Sequence, residues 1–274
     1  VTRRRKQKTR FLPPDWTIYL IVLGVILLRA NISNNNVEAI EPPPLGAALP
    51  DIRPGDPAVI VELGKRQSGS GTAFSIDGQG TWLTARHVVD SCDRVGLIAG
   101  TSSAVTADKV IVSKSSDTAI LKTRWQRPAI PTDLNTRRTT KEAGFFFGFP
   151  QGRPGEVAGT LLGRHQLITR GRYNVEEAVL AWAELGRTRG LRGSLGGLSG
   201  GPALDKDGEV IGVVAAESPR RGRIYTVAPS SVRPLVPTAI KSANARPVST
   251  KDFGKEADSY RRDRRIAQVI CLVD

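Results

Sequence analysis

The chain has 274 residues, 39% of them hydrophobic, with 28 glycines and 18 prolines. That composition excludes a disordered chain, supports one sizeable core or two lobes sharing an interface, and favours short strands joined by tight turns over long helices. The formal charge is +14, of which residues 1–39 carry +5 and the remainder +9; a basic face suits an anionic surface, but basic and aromatic residues do not interleave as a base-stacking surface requires, so no specific nucleic-acid partner is expected.

In chain order, the basic stretch "VTRRRKQKTR" precedes an uncharged apolar run, "WTIYLIVLGVILL", at residues 16–28. Positive charge ahead of such a run sends the downstream chain across a membrane. A helix over the run covers roughly 20 Å at about 1.5 Å per residue, short for a spanning helix and sufficient for a signal-peptide core. Residues 1–30 are therefore expected to be a signal or a membrane anchor, cleaved or retained. Either form exports the rest, to the periplasm or the extracytoplasmic face of an inner membrane.

Residues 31–57, with clustered Asn and Pro, read as an extended linker. The folded domain is expected over residues 58–242. It opens on a strand at "AVIVEL", followed by a hairpin in which "GTAFSI" and "TWLTA" flank the turn "DGQG". Further strands are expected at "VGLIAG", "DKVIVSK", "TAILKT", "EAGFFFGFP", "EVAGTLLG", "EVIGVVAAE" and "IYTVA". "NVEEAVLAWAEL" has helical spacing, yet "AVLAWAEL" favours a strand. "SSVRPLVPTAIKSA" is expected as a short terminal helix capped by Ser231, with Pro234 in its first turn and Pro237 opposing its continuation. Residues 243–274 are expected to form a polar C-terminal tail whose "RRDRR" cluster is a solvated face.

The stretch "GGLSGGPAL", residues 196–204, sets Ser199 among four glycines. A serine hydroxyl becomes nucleophilic when a base takes its proton, and histidine held by a carboxylate is the usual base near neutral pH. The chain has two histidines. His87 follows a strand in "WLTARHVVD", whereas His165 in "GRHQLI" has no partner pattern. Asp117 opens the strand in "SSDTAILKT", where its carboxylate can accept from the ring of a histidine. Backbone N–H groups of Gly197 and Ser199 can stabilise an oxyanion, and glycine keeps that space clear. A phosphate cradle does not fit, because no Lys-Ser/Thr pair follows and "PALDKDGEVIGVV" reads as a hairpin.

"LTARHVV", "DTAILKT" and "GGLSGGPAL", in that order within a strand-rich chain, resemble the trypsin/chymotrypsin-like serine peptidases, especially the bacterial exported branch that includes the high-temperature-requirement proteases. The resemblance covers about residues 58–242. It implies an all-β fold, a double six-stranded β-barrel with the site between barrels. It further implies a serine endopeptidase acting on protein or peptide substrates without cofactor or metal: Ser199 as nucleophile, His87 as general base and acid, Asp117 orienting the imidazole, and Gly197 and Ser199 N–H as the oxyanion hole. By the same resemblance "GFPQG" at residues 148–152 is a strand end without an assigned chemical role.

The departures are informative. Leu198 stands where activated animal trypsins carry Asp, so that ion-pair switch is not expected and packing must hold the loop. Arg86 replaces a small residue and is either exposed or paired with Asp90. A peptide-binding domain of the kind that follows the barrels in the high-temperature-requirement proteins is not expected here. By offset from Ser199, Gly193, Leu195, Ala215, Ala216 and Glu217 would form the primary pocket; lacking an acidic floor, it favours small or medium apolar residues, with Glu217 a weak candidate partner for a basic one. Cys92 and Cys271 fit no metal or nucleophile pattern, leaving a disulfide or two separate thiols as alternatives. Two rival readings stay open: an inactive barrel acting as a binding or scaffold module, and a basic surface binder.

Overall fold

The computed structural model describes Tyr19, residues 37–236 and residues 245–274. The expected signal or anchor lies outside the described residues apart from Tyr19, as does the second half of the expected terminal helix. Among the described residues no helix is long and apolar enough to cross a membrane. Val37–Asp274 forms one compact unit.

Two curled sheets make the expected double barrel. The first contains β3 (Gly69–Ser75), β4 (Thr81–Thr84), β5 (Arg94–Gly100), β6 (Ser103–Thr106), β7 (Lys109–Val112), β8 (Ala119–Lys122) and β15 (Ile266–Leu272). Their order is β6-β5-β15-β3-β4-β8-β7. β6 and β7, at opposite ends of that order, are parted only by Ala107 and Asp108, whose N–H groups bond to Val95 O (2.9 Å) and Lys122 O (2.8 Å). They act as one bent strand that curls the sheet closed over six positions. Trp82, Leu97, Leu121 and Val269 fill its interior.

The second sheet comprises β9 (Ala143–Gly148), β10 (Gly155–Gly171), β11 (Val175–Thr188), β12 (Pro202–Leu204), β13 (Val210–Ser218) and β14 (Arg223–Val227), with β1 (Val37–Ala39) and β2 (Ala58–Leu63) at its margins. The order β11-β14-β13-β12-β9-β10 closes because β10 also pairs with β11. Register shifts after Ala158 and after Leu161 let this long hairpin coil. β11 settles the ambiguous "AVLAWAEL" as strand: Leu180 and Trp182 are buried against Phe146, Ile211 and Ile224.

The ends of the chain depart from the sequence reading. Residues 37–57 are not simply a linker, since β1 pairs with Gly186–Thr188 of β11. Leu49 N–H also donates to Arg138 O at 2.8 Å, which carries the Leu49 side chain into the second barrel's core. Nor do residues 245–274 form a polar tail. Phe253–Arg262 is a helix, α3, burying Phe253, Ala257 and Tyr260 on one face, and β15 inserts between β3 and β5. Four-residue and three-residue steps between those apolar positions give α3 its stripe despite the surrounding charge.

The "RRDRR" cluster is likewise not a solvated face throughout. Arg261 pairs with Glu156 at 2.6 Å and Asp258 at 2.7 Å, and Arg265 is buried. The helix expected from Ser230 starts one residue earlier, as α2 (Pro229–Val232) behind Ala228, then tightens into a 3-10 turn at Arg233–Leu235. Pro229, with its preset φ, takes the first helical position, so Ser231 lies inside the turn rather than capping it.

Candidate active site

β4 runs into the one-turn helix α1 (Arg86–Val89), which carries His87. Asp117, in the turn before β8, is 2% exposed. Its Oδ2 lies 2.7 Å from His87 Nδ1, and its Oδ1 accepts the His87 backbone N–H at 2.9 Å. A carboxylate can only accept, so Nδ1 carries the ring proton and Nε2 is left as the lone-pair acceptor. The arrangement suits a base whose proton-taking nitrogen is the one remote from the acid.

The second barrel completes this pair. The turn between β10 and β11 reaches across to α1, where Arg172 donates to His87 O (2.9 Å) and Asp90 O (3.0 Å). Its neighbour Tyr173 donates its hydroxyl to Asp117 Oδ1 at 2.7 Å. Burial, followed by the Asp117 charge and this bond, pushes the phenol well above its ordinary range, so it remains a proton donor. Arg86 is not free at the surface: its guanidinium sits 3.7 Å above the Tyr173 ring and contacts Asp90 at 3.4 Å. From β11, Glu177 Oε1 accepts the Asp117 N–H at 2.5 Å. Tyr173, Arg172 and Glu177 escape the sequence reading because they stand about 60 residues from Asp117 and meet it only when the barrels pack.

The Ser199 loop packs against the first barrel. Thr72 N–H of β3 donates to Ser199 O at 2.9 Å, and a Cβ at Gly71 of β3 would lie 2.5 Å from Val88, beside His87, and 3.0 Å from Ser199 O. The short helix that carries His87 and the Ser199 loop therefore both adjoin the same stretch of β3. Gly196 O accepts from Gln151 N–H (2.6 Å), and Leu198 O accepts from Gly201 N–H (2.9 Å). In a trans peptide the N–H points opposite its C=O, so the N–H groups of Gly197 and Ser199 are turned the other way. Neither has an acceptor among the described residues.

Steric demand explains two of the glycines. Gly197 has φ +98°, and a Cβ there would lie 2.4 Å from Phe149 O. Gly200 has φ +85°, and a Cβ there would lie 2.2 Å from Thr72 O. A side chain at Gly197 would force the loop off the turn at Phe149, and one at Gly200 would force it off β3. Leu198, 1% exposed, anchors the loop in the second barrel's cluster with Leu195, Val214 and Ile224. "GFPQG" also acquires a role, since Gln151 bonds through its side chain to Arg192 O (2.7 Å) and Ser194 O (2.8 Å). Gln151 thus staples the N-terminal flank of the loop.

Beside Ser199 is a cavity of about 20 Å³, lined by Leu195, Leu198, Val214, Ala216, Glu217 and Ile224, room for about one water. Gly193 and Ala215 do not line it. Gly193 sits in an outer turn where its carbonyl accepts from Arg187 at 3.0 Å, and a bulge between Val214 and Ala216 leaves Ala215 without a ladder partner, in the central core. Glu217 is committed within the protein: its carboxylate accepts Leu195 N–H at 2.7 Å and the Ser194 hydroxyl at 2.5 Å.

His165 joins none of this and lines a separate cavity of about 410 Å³ with Asp56, Glu176 and Glu177. Burial lowers its pKa from the ordinary value. Asp133, Asp205 and Glu209 cluster closely enough to suggest a metal site, but Arg138 pairs with both Asp133 and Asp205 and supplies the positive charge there. Cys92 and Cys271 form a disulfide with Cα atoms 5.5 Å apart. It ties β15 to the chain just beyond α1.

Residues 69–213 match the trypsin-like peptidase domain. The chain belongs to this family. The matched stretch contains His87, Asp117 and Ser199. A solved structure of the Rv3671c protease from M. tuberculosis in its active form is 19% identical, covering 91% of this chain and 98% of that one with a TM-score of 0.51; it shares the fold. The HtrA-type protease AlgW with a decapeptide is also 19% identical, over 60% of this chain and 50% of that one, with a TM-score of 0.48. An uncharacterized protein, y4bJ of Sinorhizobium fredii, is 29% identical over 154 residues, 55% of this chain. This chain spans about a fifth of that relative, 22% of its length.

Proposed function

We propose that the chain is a serine endopeptidase that hydrolyses peptide bonds through an acyl-enzyme. The observation that carries this reading is the Asp117–His87 contact of 2.7 Å, together with a serine loop whose Gly197 and Ser199 N–H groups have no acceptor among the described residues. His87 Nε2 takes the Ser199 proton as Oγ adds to the scissile carbonyl, then returns it to the leaving amine. Asp117 holds the tautomer and supports the imidazolium without itself taking the proton. Gly197 and Ser199 N–H groups stabilise the oxyanion, a contribution of roughly 3–4 kcal/mol per donor.

The small apolar cavity supports a preference for small uncharged side chains next to the scissile bond, and the engagement of Glu217 counts against a basic one. The basic-then-apolar start of the sequence and the disulfide support export to an oxidising compartment. The inactive-barrel reading would follow from a collapsed loop or from His87 out of reach of both its partners; the unbonded Gly197 and Ser199 N–H groups and the His87–Asp117 contact support the active reading.

The test is labelling of the full chain with an active-site fluorophosphonate, alongside hydrolysis of a peptide library. Wild type is expected to label at Ser199 and cleave after small residues, and Ser199→Ala is expected to lose at least about 1,000-fold in kcat and all labelling. Equal labelling of both proteins, or none of wild type, overturns the proposal.

A further inference from the structure

One buried ionisable group beside the site is not used by the chemistry above. Glu177 is 6% exposed, and only one of its two oxygens is occupied. Oε1 accepts the Asp117 backbone N–H at 2.5 Å. Oε2 is fully buried and has no hydrogen-bond partner. Among the described residues no lysine or arginine pairs with it.

The groups around it leave little room for a second negative charge. Asp117, from the turn before β8, already carries one and faces Glu177 directly. His165 on β10 is held towards its neutral form by burial. Tyr173, at the hairpin turn, donates to Asp117 and is neutral. On the rim of the adjoining cavity Asp56 adds a further acidic group, Glu176 is already paired with Arg170 at 2.7 Å, and α2 contributes the uncharged Ser230 and Ser231. An ionised Glu177 would be a buried anion next to another with its second oxygen unpaired, whereas the neutral acid leaves Oε2 unpaired but places no charge there, which is the smaller cost.

Resting on the peptidase reading above, we propose that Glu177 is a positioning residue: as a neutral acid it fixes the backbone of Asp117, and losing its proton releases Asp117 and slows hydrolysis. The adjoining cavity of about 410 Å³, which Glu177 lines, gives the route. Hydrating a newly formed carboxylate there outweighs one backbone hydrogen bond, so the side chain turns outward and Asp117 N–H loses its acceptor. Asp117 then no longer holds His87 Nδ1 in a fixed direction. Burial, opposed by the Asp117 N–H bond and reinforced by the Asp117 charge, raises the Glu177 pKa from 4.5 to about 8, which places the change just above neutrality.

Stability carries the same signature with a definite sign. Between pH 4.5 and about 8 the folded protein holds a proton on Glu177 that the unfolded chain has released. Stability therefore falls as pH rises through that window, and the penalty is absent below it.

The experiment measures kcat and KM from pH 5 to 10, and Tm over the same range, for wild type, Glu177→Ala and Glu177→Gln. Glu177→Ala is expected to lose tenfold or more in kcat with little change in KM. Glu177→Gln retains an acceptor for Asp117 N–H and cannot ionise, so it should recover most of that loss. It should also lack the alkaline fall that wild type shows near pH 8, and its Tm should gain on wild type as pH rises from 5 to 8. An active wild type whose profile superimposes on that of Glu177→Gln overturns the inference alone, even if the Tm gap widens. A Glu177→Gln protein as impaired as Glu177→Ala at every pH also overturns it, because the charge would then be required. A folded wild type inactive at every pH overturns both this inference and the peptidase reading.

Discussion

The two sides of the cleft are held by different physics. On the serine side the loop at residues 196–201 is set by sterics and packing: glycines where a Cβ would strike backbone, and Leu198 sunk in an apolar cluster. On the acid side nearly everything is directional polar contact, with Asp117 receiving the His87 ring, the His87 N–H and the Tyr173 hydroxyl. Packing tolerates modest changes of shape but not of charge, whereas a buried hydrogen-bonded carboxylate is sensitive to the loss of one donor. The serine side should therefore fail through stability and the acid side through kcat.

Leu198→Asp breaks that contrast most severely. It removes a fully buried leucine and leaves an unpaired carboxylate in the cluster with Leu195, Val214 and Ile224. Loss of the packed side chain costs about 2–5 kcal/mol and the buried charge adds to it. Urea unfolding should show a loss of roughly 4 kcal/mol or more, while Leu198→Met, of similar volume, should cost less than about 1.5 kcal/mol. A stable, active Leu198→Asp protein would mean that an unseen cation pairs there and that packing is not what holds the loop.

The same contrast explains what could be read from the chain. Ser199 announces itself through adjacent glycines because its restraints are local backbone ones, and the strands announce themselves through β-branched runs such as "VIVEL" and "KVIV". His87 and Asp117 stand at strand ends, where a fixed base and acid are plausible. Tyr173 and Glu177 sit in "RYNVEEAV", with no local pattern to set them apart. Their partners are chosen by the hairpin tip crossing between barrels, a long-range event. Residues 245–274 misled for another reason: charges dominate "KEADSYRRDRR", yet Phe253, Ala257 and Tyr260 form a buried stripe, and the alternation in "IAQVICL" needed β3 and β5 on either side to become a strand.

Tyr173→Phe sharpens the acid side. It keeps the ring under Arg86 and deletes only the donor to Asp117 Oδ1. A hydrogen bond to a buried charge contributes about 1.5–3 kcal/mol, so kcat should fall about 10- to 100-fold with KM nearly unchanged. A fall in Tm with normal kcat would instead make Tyr173 a packing residue.

Glu217→Gln carries the smallest effect and asks whether the serine side has any polar dependence. The amide retains an oxygen for Leu195 N–H but loses the charge that strengthens both this bond and the one from Ser194. Charge-assisted bonds are roughly twice as strong as neutral ones, so the loop should loosen by about 1 kcal/mol, a few-fold in kcat/KM, equally for all substrates. A carboxylate that instead selected basic side chains would show itself differently. Cleavage after Lys or Arg would fall tenfold or more while cleavage after Ala stayed level, since only the former would lose an ion pair. A uniform few-fold loss across the library places Glu217 with Gln151 as a brace of the Ser199 loop, and leaves selectivity to the apolar walls of Leu195, Val214 and Ile224.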